Sequence, residues 1–478
     1  MGDQVTAIAD GDSTRATLGE RISIYRNDWE DYLDKELGRQ FVEETKESIK
    51  LMIDCSQNIF RRIIRETCTV YKNGIKRELL SAGAGPGSEP VENPRYDEVM
   101  AQMDLDWKMA EAHRLAKASW VSFLRPRMLM ATGEMRMEII TADEAHVDLD
   151  TEDPLKMTGF GYHVHARDKK GKWTDCWVYY TEEQIRYLDM SGREIENPFS
   201  DDIDTTNPYG IIPVVPFFAT APVMGFWDLN WNYDAVRANY VIGVLNTYMN
   251  YLVKTQSFKQ IVLTASAGKE TLGAILDPLS PIVLPENATA ATLDLNTQLG
   301  AIDQVIRGKI SAIANNYGIS NENFTITGDV ASGFSLKVAN RALEEIRAAD
   351  KTVALKTEKE LFDVIRIVNN TSGVEAIPEE LELKWDPGEI EYPPTMQEEQ
   401  ARWEFEFGHG IKNQIDYLIH ENPELSREDA MLQLQQIKEE NVDLKPTRSP
   451  LEMMFGGTGE ENVRPFQRKA VVETVEAK

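Results

Sequence analysis

Cysteine is scarce: Cys55, Cys68 and Cys176 are the only three in 478 residues. An odd count without a C-x-x-C pair excludes a disulfide framework and a cysteine-built structural zinc site, and it points to a reducing compartment. Positive charge is also short. Lys plus Arg number 51 against 79 Asp plus Glu, for a net charge of -28 and a pI near 4.7. A broad basic face for gripping nucleic acid is thereby excluded, because phosphate binding needs clustered cations; any DNA contact is local or loose. The longest apolar run, Gly210 to Trp227, is broken by Pro213, Pro216 and Pro222, which would interrupt a spanning helix. No membrane partner is expected. The first twenty residues lack the basic and apolar regions of a signal peptide, so no export is expected.

What remains is ample for two to four domains. Apolar residues recur at helical spacing from Leu33 to Val70 and from Arg95 to Phe123, so the first part reads as mainly helical. Past Pro126 the texture becomes β-prone: Arg136 to Ile140, then GYHVHA and WTDCWVYY around a turn at Asp168-Lys169-Lys170-Gly171, which predicts a hairpin. Thr181 to Gln184 has capping-box spacing and predicts a short helix. From Asp228 to Lys254 the chain is helical and apolar almost all round, which demands packing on several sides. A compact insert follows, with β-like SFKQIVLT and SPIVLP. Leu299, Ile302, Ile306, Ile310, Ile313 and Tyr317 then mark an amphipathic helix. After the loop GISNENFTITGDVASG, a helix from about Ser335 to Asn369 could be roughly 50 Å long. Its apolar stripe includes Leu336, Leu343, Leu361 and Ile365, and its other face, with Arg341, Glu345, Arg347, Lys351, Glu358 and Lys359, reads as solvated. Beyond the β-like ELELKWD, capping boxes at Thr395 and Ser426 each open a helix. Residues 371 to 440 hold 18 acidic and 5 basic residues, and the tail past Asn441 reads as mobile.

Few segments carry chemistry. ASAGKET lacks the glycine five positions before Gly268 and has Glu270 where a nucleotide loop needs Ser or Thr. His163 and His165 alternate on one strand face with Cys176 across the hairpin, so zinc is conceivable. Register decides it. A Lys169-Lys170 turn puts His163 opposite Cys176, whereas a left-handed bulge at Gly171 turns Cys176 to the other face, and glycine there favours the bulge. No fourth ligand is evident, and the reading is no metal. The acidic run Asp143 to Asp153 has Asp153 where an EF-hand needs glycine, so it reads as a charged loop. No catalytic fingerprint is present, and neither catalysis nor a cofactor is expected.

The order of elements has a recognisable shape. Two local signatures stand within it: Asn207-Pro208-Tyr209-Gly210-Ile211-Ile212-Pro213-Val214-Val215 before the first long helix, and Ser332-Gly333-Phe334-Ser335-Leu336 opening the longest one. From roughly Leu33 to Glu440 the chain resembles the portal proteins of tailed double-stranded DNA bacteriophages, the head-to-tail connector rings. The fold class so implied is α+β, with wing, stem, clip, long tunnel helix and C-terminal helical crown. The resemblance implies an N-terminal arm over 1–19, the N-terminal part of the wing over 20–227 and stem helices over 228–254 and 298–317. It further implies a clip over 255–297, a tunnel loop over 318–334, the tunnel helix and wing return over 335–392, a crown over 393–440 and a flexible tail over 441–478.

Implied too is a homo-oligomeric ring, of twelve subunits in the assembled head, at one capsid vertex of the virion, put together in the host cytoplasm. Through its channel double-stranded DNA enters and leaves without sequence specificity. The partners implied are the terminase packaging motor, a head-completion or adaptor protein, and the major capsid and scaffold proteins. The channel constriction would be Phe324, Thr325, Ile326, Thr327, Gly328, Asp329, Val330, Ala331 and Ser332, bulk without cations. Arg307, Lys309, Lys337 and Arg341 are candidate channel cations, with pairing to Asp303 or Glu345 between subunits the alternative. Phe258, Ile261, Leu263, Ile282 and Leu284 are candidate partner-binding residues of the clip, or equally its own small core. The rival classes are a packaging ATPase with nuclease activity and another capsid-associated scaffold.

Overall fold

The helical start of the chain is cut into short pieces. The computed structural model describes residues 13–39, 49–85, 88–129, 132–200, 204–223, 225–256, 260–264, 289–293, 299–320, 340–372, 375–389, 396–422 and 424–443. α1 (Ser13–Arg26) precedes the pattern expected from Leu33 to Val70, and within that span the structure has the end of α2 (Glu30–Gly38) and, separately, α3 (Ile59–Thr67). Asn58 starts α3 afresh, its side chain accepting from Arg61 N at 2.8 Å, which satisfies one of the free amides of the first turn. Ile59, Phe60, Ile63 and Ile64 share its buried face.

After β1 (Lys76–Ser81), the helix expected over 95–123 is two: α4 (Pro94–Met103) and α5 (Leu105–Ser119). Asp104 lies between them at φ 49°, and Trp120 ends α5 at φ 80°. A bulky residue rarely adopts that conformation. Here the indole is buried, and its Nε1 donates to Phe226 O at 2.7 Å. The chain is therefore already a strand at Val121, and Phe123, expected on a helix, is in β2.

β2 (Val121–Leu129) is the centre of a three-stranded antiparallel sheet, with β3 (Glu134–Thr141) on one side and β9 (Val215–Phe218) on the other. Pro126 lies within β2 yet beyond the reach of β9, which pairs only with 121–124; a proline is tolerated where the strand is an edge. Between them in the chain, β4 (Ala145–Leu149), β5 (Met157–Arg167), β6 (Trp173–Tyr180), β7 (Ile185–Leu188) and β8 (Glu194–Ile195) form a five-stranded sheet in sequential order. Phe123, Phe160, Tyr162, Val178, Tyr180 and Phe226 share one core linking the two sheets, while Leu124 and Phe217 face another beneath α4 and α5. Alternate residues of β2 thus serve two cores, which is why the strand shows no polar face.

The β5–β6 hairpin has the bulged register. Gly171 takes φ 78°, and the pairs are His163 with Trp177, Val164 with Cys176 and His165 with Asp175. Cys176 is buried on the face opposite the histidines. The short helix expected at Thr181 is instead a turn into β7: Thr181 Oγ1 accepts from Gln184 N at 2.9 Å, and Thr181 N donates to Gln184 O at 2.9 Å. The same side-chain bond that caps a helix closes this turn, and pairing with β6 decides for the strand.

A long helix, α6 (Tyr233–Gln256), follows a turn at Asp228 to Asn232 rather than starting at 228. Next, β10 (Gln260–Thr264) pairs antiparallel with β11 (Thr289–Leu293). The partner of the first β-like run is thus TAATL; the SPIVLP run lies outside the described residues. α7 (Leu299–Asn316) packs back along α6. The 31-residue α8 (Arg341–Thr371) then leads to β12 (Leu381–Asp386), which pairs with β1 from Lys76–Asp386 to Ser81–Leu381.

These elements belong to the first of two units, Met1–Tyr392 and Pro393–Lys478. The second contains α9 (Met396–Gly408), α10 (Gln414–Glu421) and α11 (Arg427–Asp443). Ser426 caps α11, its Oγ accepting from Asp429 N at 3.2 Å. No described helix is long and apolar enough to cross a membrane.

Candidate functional site

The residues singled out for function fall on α6, α7 and α8 and on the segments between them. α6 is apolar on nearly every side, and a ring of subunits is the expected source of its neighbours. The structure corrects this: the same chain supplies most of them. Gly243 lets α2 come close, for a Cβ there would stand 2.8 Å from the Trp29 ring and 2.9 Å from Leu33 Cδ2. Trp29 meets Tyr240 edge-on at 6.0 Å. On another side, Phe60 N donates to Asn239 Oδ1 at 3.2 Å and Asp54 N to Thr247 Oγ1 at 3.2 Å. Ile306, Ile313 and Ala314 of α7 close a third side within one core with Ile242 and Val244. Tyr233 and Val253 stay exposed, near the two ends of the helix.

Two of the candidate cations are paired on their own helices. Arg307 donates to Asp303 at 2.7 Å and Arg341 lies 3.5 Å from Glu345, each pair four residues apart on its own helix. Within one chain these cations thus have a partner on their own helix, because residues at i and i+4 are neighbours on a helix surface. Lys309 is exposed. Lys337 and the whole run Phe324 to Ser332 lie outside the described residues, as does the Ser332 signature. Of the clip candidates, Ile261 and Leu263 stand in β10 opposite Thr292 and Ala290, while Phe258, Ile282 and Leu284 lie outside.

The other signature is within reach. Asn207 is buried, its side-chain nitrogen donating to Thr181 O and Ile211 O, both at 2.7 Å, while its Oδ1 accepts from Tyr209 N. Gly210 takes φ 63°, the left-handed conformation that favours glycine. The motif is a knot of local hydrogen bonds that delivers Val215 into β9.

Sequence reasoning missed the strongest polar feature. Arg347, Asp350, Ala354, Glu358, Leu361, Ile365 and Val368 form one buried stripe of α8, so Arg347 and Glu358, expected on a solvated face, are interior. Each charge has a partner on another element. Arg347 Nη2 donates to the carbonyls of Pro387 and Gly388 at 2.9 and 3.0 Å. Lys117 of α5 donates to Asp350 Oδ1 at 2.7 Å. Arg77 of β1 grips Glu358 with two bonds of 2.9 and 2.7 Å and also bonds Asp106. Arg95 of α4 donates to Asn369 Oδ1 at 2.9 Å. From 347 to 369 these four fastenings span roughly 33 Å at 1.5 Å per residue. The clue in the sequence was phase: these polar residues keep the three-and-four spacing of Leu361, Ile365 and Val368.

The electrostatics follow from burial. Burial alone would lower the Arg77 pKa, but the hydrogen bonds and charges of Glu358 and Asp106 outweigh it and raise it. His113 stands 3.5 Å from Asp350 Oδ2 and stacks on Phe217 at 5.4 Å. Burial lowers its pKa below the usual imidazole value, against the opposing pull of Asp350. Such a set of buried polar groups, each partnered from another element, holds a helix in register. In the acidic run, Asp150 accepts from Glu152 N and Asp153 N within one turn, and Asp148 accepts from Tyr179.

No family model matches the chain, and no curated protein matches it. Among solved structures it is similar to a chain of the neck of an empty GTA particle computed with C6 symmetry, at 12% identity and a TM-score of 0.41, over 78% of this chain and 93% of that one. A chain in the virion of a native gene transfer agent (GTA) particle has 11% identity and a TM-score of 0.41, over 78% and 92%. The neck of a native GTA particle computed with C12 symmetry gives 12% and 0.37, over 79% and 92%.

Proposed function

We propose that this chain is a portal protein: a ring at one capsid vertex, the channel for genome packaging and ejection, and the platform on which a packaging motor and later a head-completion protein dock. The observation that carries the reading is the order of packed elements. Two long helices, α6 and α7, run back along each other and bracket the β10–β11 pair, and the next long helix, α8, is fastened to the mixed helical and sheet body by buried ion pairs. A module inserted between paired helices suits docking, and a helix locked in register suits a rigid channel wall.

The ring carries DNA without holding it. A sliding duplex must not be gripped, because each phosphate neutralised releases counterions and adds affinity, and a chain with net charge -28 offers little grip. Catalysis is left to the docked motor, so the protein itself turns nothing over. Negative-stain microscopy and light scattering on the purified protein test the reading: closed rings, twelve-fold in the assembled head, are expected. A monomer at every concentration and in the particle would overturn it. Hydrolysis of ATP, or of DNA with Mg²⁺, abolished by Lys269→Ala would favour the packaging ATPase instead.

A further inference from the structure

Three donors that the sequence scatters over two helices meet in the second unit. Glu399 stands in the first turn of α9, and His420 and Glu421 are the last two residues of α10. One ligand atom from each lies within 4.8 Å of the other two. His420 Nδ1 is 3.9 Å from Glu399 Oε1 and 3.9 Å from Glu421 Oε1. We propose that Glu399, His420 and Glu421 bind a divalent transition-metal ion, with zinc the natural occupant.

Three observations support the assignment. The first is spacing. At 3.9 Å the imidazole is too far from either carboxylate for a hydrogen bond, so the donors face one another without being spent on one another. Three atoms no more than 4.8 Å apart share a point about 2.8 Å or less from each, and small rotations of these partly exposed side chains bring that to the 2.0–2.2 Å or so that zinc needs from imidazole nitrogen and carboxylate oxygen. Water completes the shell. The second observation is charge. Arg402 and Lys412 are both taken by Glu406, and Arg427 lies beside Asp416. Among the described residues no lysine or arginine pairs with Glu399 or Glu421, so two carboxylates stand together without a counter-ion, an arrangement that a divalent cation relieves.

The third observation is placement. The last carbonyls of a helix carry partial negative charge that favours a cation, and the donors gather at that end of α10. The start of α10 is fixed by the capping box of Asn413 and Asp416. The ring of His420 is held edge-on at 5.4 Å by the buried Trp403 of α9, which keeps the imidazole where α9 and α10 meet. An ion bound there joins the first turn of α9 to the last turn of α10.

The test is calorimetric titration of Zn²⁺ into chelator-treated full-length protein, with Co²⁺ absorption reporting coordination geometry. One ion per chain is expected, with slower amide exchange at the end of α10 once Zn²⁺ is bound. His420→Ala and the near-isosteric Glu399→Gln should each weaken binding about tenfold or more, with far-UV circular dichroism checking that the helices persist. An equal concentration of Ca²⁺, which prefers an all-oxygen shell, should not compete. A His163→Ala/His165→Ala double variant should bind as the parent does, because those histidines belong to the first unit. No saturable binding up to about 1 mM Zn²⁺ would overturn the proposal. So would binding undiminished in a Glu399→Gln/His420→Ala/Glu421→Gln triple variant, displacement by equal Ca²⁺, or binding lost with His163 and His165.

Discussion

α7 and α8 carry the same kinds of charged residue in opposite circumstances. On α7, Arg307 is exposed and meets Asp303 one turn away. On α8, Glu358 is 1% exposed and is held by an arginine from a strand 281 residues earlier in the chain. The first pair competes with water and gains little. The second has no water to fall back on, so each partner depends on the other. A charge pair is therefore worth what its surroundings make of it, and it is the interior pairs that tie α8 to β1 and α5.

The hardest blow to that contrast is Glu358→Ala. It strands Arg77 in the interior with only Asp106 at the surface, and a loss of about 3–5 kcal/mol is expected in chemical denaturation. A loss below about 1 kcal/mol would place this pair with the surface ones. Packing can be set against charge with Gly243→Leu, where the new side chain collides with Trp29 and Leu33. Overpacking of this kind costs about 1–3 kcal/mol, and it should loosen α2 from α6, read as faster amide exchange in both.

The buried imidazole gives a third handle. His113 has its pKa lowered by burial, so between that value and the ordinary 6.5 the unfolded chain binds the extra proton. Stability is complete above about pH 6.5 and declines as pH falls toward the folded value. His113→Gln should flatten that slope in denaturation curves collected from pH 7 to 5; an unchanged slope would assign it to other groups. Smallest of all is Asp303→Asn on α7, with an expected change of about 0.3–0.5 kcal/mol that vanishes in high salt. A salt-independent loss would mean that Arg307 is less solvated than its exposure suggests.

Much was legible in advance where one periodicity ran without competition. The hairpin register at Gly171, the amphipathic α7 and the strand character of ELELKWD needed only local chemistry and pattern. Errors gathered where a distant partner overrode a local preference. Trp120 leaves the helix because its indole reaches Phe226, Thr181 turns into a strand because β6 is there to pair with, and Glu358 goes inside because Arg77 comes to meet it. The same logic governs the candidate site: the Asn207 motif could be quoted from the sequence, whereas the polar stripe of α8 could not.

The sequence by itself determined the scarcity of cysteine and cations, the long helices with the β-like insert between them, and the glycine that sets one hairpin's register. Those follow from composition and from spacings of two, three and four residues, which act along the chain. Only the tertiary structure decided that α6 is covered mostly by its own chain, that Arg347 and Glu358 are interior, and that Asp175 rather than Cys176 faces the histidines. Such choices depend on which groups meet across hundreds of residues or across a bulge, and a buried charge is tolerable only when its partner arrives from elsewhere.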